Sequence, residues 1–351
     1  ILWMTKVKFE KHGLPGLIRK KFLTKDEAQS LEDAYSFLLR VRNELHFKSK
    51  RPVDILHLEK QPEVALGLGY EEEDIFRRVE LFMGDYYSRA RTINQLSGIL
   101  EQRLVHATTG STSSISFKKV IKAYQSPPLQ NVDGFDLNGE ELSSPNLQIF
   151  DEDSERLIRL FRHSQRLSAK LSPDLRSLVR NRLSLIDSAL INSTSANVAF
   201  RSILQEIGNV SPTLCEMHEL GVLGRFVPEF GRLTCKVQHD LYHRFTADIH
   251  VLHCITTLDE IFQGKKKASK HYLQALRKNE VPGLLYLILF LHDLGKDKGP
   301  KGHCERGVEI AVNMMDRLGV SDEMRDRILF VIRNHLEMVR YANKFDLEDP
   351  E

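Results

Sequence analysis

The feature that most constrains this chain is the apolar run Leu284-Leu285-Tyr286-Leu287-Ile288-Leu289-Phe290-Leu291, which ends on His292-Asp293. At eight residues it is far short of the ~20 that a membrane span needs, so it reads as part of a protein core. Burying an imidazole and a carboxylate beside so much hydrocarbon is costly unless something compensates both. A divalent cation is the natural compensator, because it binds imidazole and carboxylate together. Leu294-Gly295-Lys296 follows directly. His250 stands before the pair, His303 and His335 after it, and Asp346 near the end of the sequence. The ordered series His…His-Asp…His…His…Asp is a far more specific signal than any one of its members.

Helical periodicity dominates the rest, and the expected fold is all-α and multi-lobed. Leu31, Ala34, Leu38, Val41 and Leu45 step by three and four, as on one face of an amphipathic helix. Ile75, Val79, Phe82, Tyr86, Ile93, Leu96 and Leu100 continue that rhythm over a second, long helix, so residues 1–106 read as a helical bundle. Residues 107–150, rich in Ser, Gly, Asn and Pro, read as a linker with minor β content, with a strand pair expected at Ser116–Tyr124 and Leu147–Phe150. Residues 151–234 return to helix. Arg156, Arg159, Arg162 and Arg166 dot its first segment and read as a solvated face with intrahelical ion pairs. Residues 235–351 hold the histidine series. Val251, Ile255, Leu258 and Phe262 form one stripe with His250 at its edge. Val308, Ala311, Met315 and Leu318 form another. Met324, Ile328, Val331 and His335 share a third face, which would deliver His335 inward. Lys265-Lys266-Lys267 reads as a solvated turn, and His243 and His253 as structural side chains.

Composition narrows the function classes. The 50 Lys+Arg against 48 Asp+Glu leave a formal charge of +2, which argues against a dedicated nucleic-acid binder. The four cysteines, Cys215, Cys235, Cys254 and Cys304, form no C-x-x-C pair and read as reduced thiols of a cytoplasmic protein. No signal peptide or membrane span is visible. The first residue is not Met and the last residues close no element, so a fragment of a longer polypeptide is expected.

The histidine series suits catalysis at phosphorus. Imidazole with carboxylate suits Mn, Fe, Co or Zn, and carboxylate with water suits Mg. A hydrolytic site leaves positions open for water and substrate. The expected ligands of a first ion are His250, His292, Asp293 and Asp346, with Asp349 the competing candidate for the last place. His303 and His335 could hold a second ion with Asp293 bridging, or contact a substrate phosphate if only one ion binds. Such a cation lowers the pKa of bound water toward ~7 and draws charge off phosphoryl oxygens. Lys296 could neutralise phosphate as a point charge, Asp293 could orient the attacking water, and Gly295 would let the backbone turn.

His250, His292-Asp293 and Asp346 together resemble the HD superfamily of metal-dependent phosphohydrolases. The surrounding sequence resembles, more narrowly, the bifunctional PII uridylyltransferase/uridylyl-removing enzyme family. The resemblance is carried by Met217-His218-Glu219-Leu220-Gly221-Val222-Leu223-Gly224-Arg225-Phe226, by residues 238–250, by His292-Asp293-Leu294-Gly295-Lys296, by His303-x-x-x-Gly307 and by Asn334-His335-Leu336-Glu337-Met338. Phe37-Leu38-Leu39-Arg40-Val41-Arg42-Asn43-Glu44-Leu45-His46 is similar to the helical segment behind that family's nucleotidyltransferase core. One departure is Ala247-Asp248-Ile249-His250, where the family more often has an acidic residue just before the histidine, so a changed hydrogen-bond arrangement is expected there.

This resemblance implies a metal-dependent phosphodiesterase (Mn, Mg, Fe or Zn) that removes UMP from a tyrosine of a PII-type signalling protein, with a nucleotide as product. The family's transferase signature is Gly-Ser followed about ten residues later by Asp-x-Asp. Here Gly110-Ser111 and Asp151-Glu152-Asp153 lie about forty residues apart and are expected to be decoys. The resemblance therefore implies removal rather than transfer within this chain. The alternatives are a phosphohydrolase of free nucleotides, a degenerate HD module whose metal is structural, and a piece of a full transferase whose core lies upstream.

Overall fold

The computed structural model describes residues 13–109, 130–237, 245–267, 270–278, 281, 283–299, 301–337 and 340–341. The chain divides into two compact units, one comprising Ile1–Ser126 and Val237–His243, the other Pro127–Lys236 and Arg244–Glu351. Helices dominate both, as the periodicities require.

The first unit is built on α1 (Leu14–Arg19), α2 (Lys25–Ser49), α3 (Gln61–Gly67) and α4 (Ile75–Thr109). Thr24 starts α2 with a capping box: its hydroxyl accepts from the Glu27 N–H at 3.1 Å, and its own N–H donates to Glu27 Oε2 at 2.8 Å. This satisfies two donors that a helix start otherwise leaves open. Arg103 of α4 then donates to both Glu27 oxygens, at 2.8 and 3.0 Å. The predicted stripe of α2 is buried at Leu31, Ala34, Val41 and Leu45, and that of α4 at Val79, Phe82, Leu96 and Leu100, while Ile75 is exposed at the helix start. Leu31 packs in the cluster of Leu96 and Leu100, and Leu45 in that of Val79 and Phe82. Helices α2 and α4 therefore run antiparallel.

The second unit opens on a small sheet of strands β1 (Gln130–Val132), β2 (Phe135–Asn138), β3 (Glu141–Ser143) and β4 (Lys170–Leu171), in that order. The first three form antiparallel pairs; β4 joins β3 in parallel. Asp133 (φ +55°) and Gly134 (φ +89°) form the two-residue turn between β1 and β2, the Asp-Gly chemistry that a primed hairpin turn demands. The strand expected at Leu147–Phe150 is not formed. Ile149 and Phe150 are both buried, and neighbours in sequence can share one side only in a turn of helix, here α5 (Ile149–Glu152). The other expected strand, Ser116–Tyr124, lies outside the described residues.

Helix α6 (Arg156–Leu167) buries Leu157, Ile158, Leu160 and Phe161. Of its arginines Arg166 is exposed and Arg156 pairs with Glu152 four residues back at 3.3 Å, as expected from sequence, but Arg159 and Arg162 reach other elements. Arg159 clasps Asp133 of the hairpin turn at 2.7 and 3.0 Å and Asp153 at 2.6 Å, and Arg162 reaches Glu206 at 2.7 Å. Six short helices follow: α7 (Pro173–Asn181), α8 (Ser188–Ile191), α9 (Thr194–Leu204), α10 (Ser211–Glu219), α11 (Val222–Phe226) and α12 (Pro228–Gly231). Five further helices with described bounds are α13 (Ala247–Phe262), α14 (Lys270–Lys278), α15 (Gly283–Leu291), α16 (His303–Leu318) and α17 (Asp322–Asn334).

One hydrophobic core runs through this unit from Phe135 to Ile332. The apolar run is α15, and it lies at the centre. Phe290 stacks on Phe230 with centroids 5.5 Å apart and meets Phe200 edge-on at 5.7 Å. A buried polar knot fixes the helix lengthwise. Tyr286 donates to Asp259 Oδ1 at 2.6 Å and accepts from the Gly208 N–H at 2.9 Å, while Asp259 Oδ2 accepts from the Ser211 N–H at 2.6 Å. Among the described residues no helix is long and apolar enough to cross a membrane.

Candidate metal centre

The anchored end of α15 presents the His292-Asp293 pair. The His292 N–H still donates to Ile288 O, closing the helix. Asp293 leaves helical geometry, and a 3-10 turn, Leu294–Lys298, follows. Gly295, expected from sequence to let the backbone turn, is required here by proximity. A Cβ on it would stand 2.1 Å from His303 O and 2.5 Å from the Gly307 N. The turn therefore lies directly on the first turn of α16, which brings His303, the first residue of that helix, beside Asp293.

The two remaining histidines arrive on separate helices. His250 is the fourth residue of α13, whose Val251, Ile255 and Leu258 point into the core. His335 caps α17. The stripe that carries it inward is Ile328–Ile332–His335; Val331, assigned to that face from sequence, is 38% exposed.

These side chains converge on one carboxylate. Asp293, only 1% exposed, has His250 Nε2 at 3.5 Å and His292 Nε2 at 3.3 Å from Oδ2. His303 Nε2 and His335 Nε2 lie 3.9 and 3.7 Å from Oδ1, and 3.4 Å from each other. Two imidazoles thus face each oxygen. His292 Nδ1 and His335 Nδ1 lie 2.8 Å from the carbonyls of Leu289 and Ile332. A carbonyl only accepts, so Nδ1 carries a ring proton in both, and Nε2 is the nitrogen that faces Asp293 and is left to ligate a cation. Asp346 and its competitor Asp349 lie outside the described residues.

The electrostatics separate the two oxygens. Burial pushes the Asp293 carboxyl up, but hydrogen bonding and charge from His292 and from Lys296 outweigh it and hold the group well below the usual carboxylate range. Lys296 is itself buried and donates to Oδ2 at 2.8 Å. Its ammonium is directed to Asp293, where the sequence reading had aimed it at phosphate. Oδ1 is buried and, among the described residues, accepts no hydrogen bond. A buried ionised oxygen left without a donor is expensive, and two imidazole nitrogens stand beside it. His335 is lowered in pKa by burial, with His292 and His303 adding to the effect, which favours the neutral, ligating form. A tetrahedral ion with arms of about 2.0–2.3 Å holds its donors about 3.3–3.8 Å apart. The separations of 3.3–3.7 Å around Asp293 fall within that span, and the 3.9 Å from His303 Nε2 to Oδ1 lies just above it.

Sequence reasoning did not pick out three further residues. Cys254, one turn after His250 on α13, has Sγ 3.7 Å from His250 Nε2. Cys304 has Sγ 3.7 Å from His303 Nε2 and 3.9 Å from His335 Nδ1. Both thiols are pushed up by burial and by nearby acids, Asp293 among them. The spacing of four between His250 and Cys254 was the available signal. The third is His218, whose Nε2 lies 3.2 Å from Asp248 Oδ2. Asp248 also accepts from the Cys235 N–H at 3.3 Å. The acid two positions before His250 thus binds α10 to the start of α13. His253 is exposed and packs on Phe245, consistent with its structural reading, and His243 lies outside the described residues.

A helical core that gathers histidines from four helices around a buried His-Asp pair defines a class, and comparison agrees: the family described as HD domain matches residues 248–350. Two more families match upstream, GlnD PII-uridylyltransferase over residues 1–101 and the uridylyltransferase GlnD third domain over 135–226. The bifunctional uridylyltransferase/uridylyl-removing enzyme of Rhodospirillum rubrum is 30% identical over 99% of this chain, and that of Cereibacter sphaeroides 32% identical over 95%. The chain belongs to the bifunctional uridylyltransferase/uridylyl-removing enzyme family. It spans 36% and 35% of the length of those two relatives.

Proposed function

We propose that this chain is the uridylyl-removing portion of such an enzyme, a phosphodiesterase that releases UMP from a modified PII-type signalling protein. The observation that carries the reading is Asp293: ionised, buried, and faced on each oxygen by two imidazole nitrogens. In this reading His250, His292, Asp293 and Asp346 hold one divalent cation, of Mn, Mg, Fe or Zn, and His303 and His335 share Asp293 with a second. Bound there, the cation supplies an electrophile for phosphoryl oxygens and lowers the pKa of water toward ~7.

The protein's own contribution is preorganisation. Leu289 O and Ile332 O fix two imidazoles by their Nδ1 protons, Lys296 keeps Asp293 ionised and fixed in rotation, and the aromatic stack around Phe290 holds the backbone from which the pair projects. Groups already oriented need no reorganisation when charge develops on a substrate. Lys296 acts in this reading as a positioning residue for Asp293.

The reading gives no uridylyl transfer to this chain. Of the Asp-x-Asp at 151–153, Asp151 is paired with Arg182 at 2.9 Å and Asp153 with Arg159 at 2.6 Å, so neither carboxylate is presented as a cation ligand. A cytoplasmic site of action follows from a PII-type substrate and from cysteines that are free throughout the described residues.

The test is to incubate uridylylated PII protein with the full chain and Mn and to measure free UMP. Release by the wild type and its loss in His292→Ala is the expected result. Equal release by the two, or none by either, contradicts the proposal.

A further inference from the structure

The metal-centre reading leaves two thiols unexplained, and both stand where a ligand would. Cys254 lies on the same face of α13 as His250, with its sulfur 3.7 Å from His250 Nε2 and within 4.8 Å of a ring nitrogen of His292. Cys304 follows His303, with its sulfur 3.7 Å from His303 Nε2 and within 4.8 Å of a ring nitrogen of His335. In each set the three ligand atoms lie within 4.8 Å of one another. The other two cysteines are placed differently: Cys215 is beside Ser211, and Cys235 has its backbone N–H on Asp248. The arrangement therefore occurs twice, once on each side of Asp293, with the same donor composition of two imidazoles and one thiol.

Resting on the reading above, we infer that Cys254 and Cys304 are metal ligands, one for each histidine pair, and that they set the site's preference for zinc-class ions over magnesium. The sulfur-to-nitrogen distances of 3.7 Å match the donor separation around an ion with Zn–S near ~2.3 Å and Zn–N near ~2.0–2.1 Å. Thiolate is a soft donor and suits Zn and Fe, whereas Mg takes oxygen ligands. Each thiol that binds loses its proton to solvent, so coordination is accompanied by proton release. With the Asp293 oxygen the His303 set reaches four donors, and a substrate oxygen is accommodated there by expansion to five, as zinc sites allow; the His250 set reaches five with Asp346.

Cobalt(II) reports ligand chemistry without reference to activity. The metal-free full chain is titrated with Co(II), and its absorption spectrum is recorded for the wild type, Cys254→Ser, Cys304→Ser, the double variant, and Cys215→Ser. The expected result is an intense near-ultraviolet sulfur-to-cobalt charge-transfer band. Each single Ser variant loses about half of it and the double variant all of it, whereas Cys215→Ser keeps it, and excess Mg does not bleach it. Far-ultraviolet circular dichroism establishes that each variant is folded. Cobalt binding with visible ligand-field bands but no charge-transfer band, or a band untouched in the double variant, overturns the thiol assignment and leaves the histidine-aspartate centre standing. Failure of any cobalt to bind overturns the centre itself, and the thiol assignment with it.

Discussion

The two compact units solve the same problem, burying helix faces, in opposite ways. The first has two separate small clusters, around Leu31–Leu100 and Val41–Phe82, and secures its helices with groups at or near the surface: the Thr24–Glu27 capping box and the Arg103 clasp. The second has one continuous core and places ionisable groups inside it: Asp259 with Tyr286, Asp248 with His218, and Asp293 with Lys296 and four imidazoles. A charge can be buried only where the surroundings are rigid enough to hold its partners in place, because the interior gives little solvent relief. The large core is thus what makes the polar centre possible, and the small clusters of the first unit could not support one.

Substitutions at matching levels of the two units sharpen that contrast. The largest effect is expected from Asp293→Ala, which leaves Lys296 buried without its carboxylate. Breaking a buried pair by removing one partner costs about 3–5 kcal/mol, seen as a lowered urea midpoint of the second unit in chelator-treated protein. A midpoint unchanged within error would show that Lys296 finds water and that the centre is not dry. Next comes Tyr286→Phe, which takes one donor from Asp259 and the acceptor from the Gly208 N–H. Leaving such groups unsatisfied costs about 1–3 kcal/mol, and the cost should again fall on the second unit.

The smallest effect is expected from Thr24→Ala, about 1 kcal/mol for a lost N-cap, confined to unfolding of the first unit. That unit should also carry an acid sensitivity. Burial raises the pKa of Glu27, but its bonds to Arg103 and Thr24 outweigh this and lower the pKa from 4.5. A depressed folded-state pKa gives stability that is present above the ordinary value and is lost as the pH falls through the folded one. As the pH falls from about 4.5 through the lower folded-state value, the Arg103→Met variant should therefore converge on the wild type in stability. A gap between the two that persists in acid would show that the clasp works by packing rather than by charge.

Much of the site could be read in the sequence because its chemistry sits at element ends. His292-Asp293 closes an apolar run, and periodicity carries His335 and His250 to the edges of buried stripes. The exact stripe was harder: Val331 and Ile332 are adjacent β-branched residues, and only packing selects Ile332. Lys296 could be placed near the pair but not aimed, because whether an ammonium faces phosphate or a carboxylate three residues back depends on how tightly Gly295 lets the turn lie on α16. The thiols escaped because cysteine is usually a small buried hydrophobe and no C-x-x-C spacing singles these out. The sheet was misplaced for a local reason. Its strands are two to four residues long, too short for alternation to register, and the Asp133-Gly134 turn was the better signal.

The central claim is that a divalent cation is held at Asp293 between imidazoles from four helices. It is tested most directly by crystals of the full chain soaked in Mn, with anomalous diffraction recorded at the manganese edge. The account predicts an anomalous peak between the Asp293 carboxylate and the Nε2 atoms of its histidines, absent from Asp293→Ala crystals treated alike. A map with no peak at that carboxylate, or with the same peak in the variant, would contradict it.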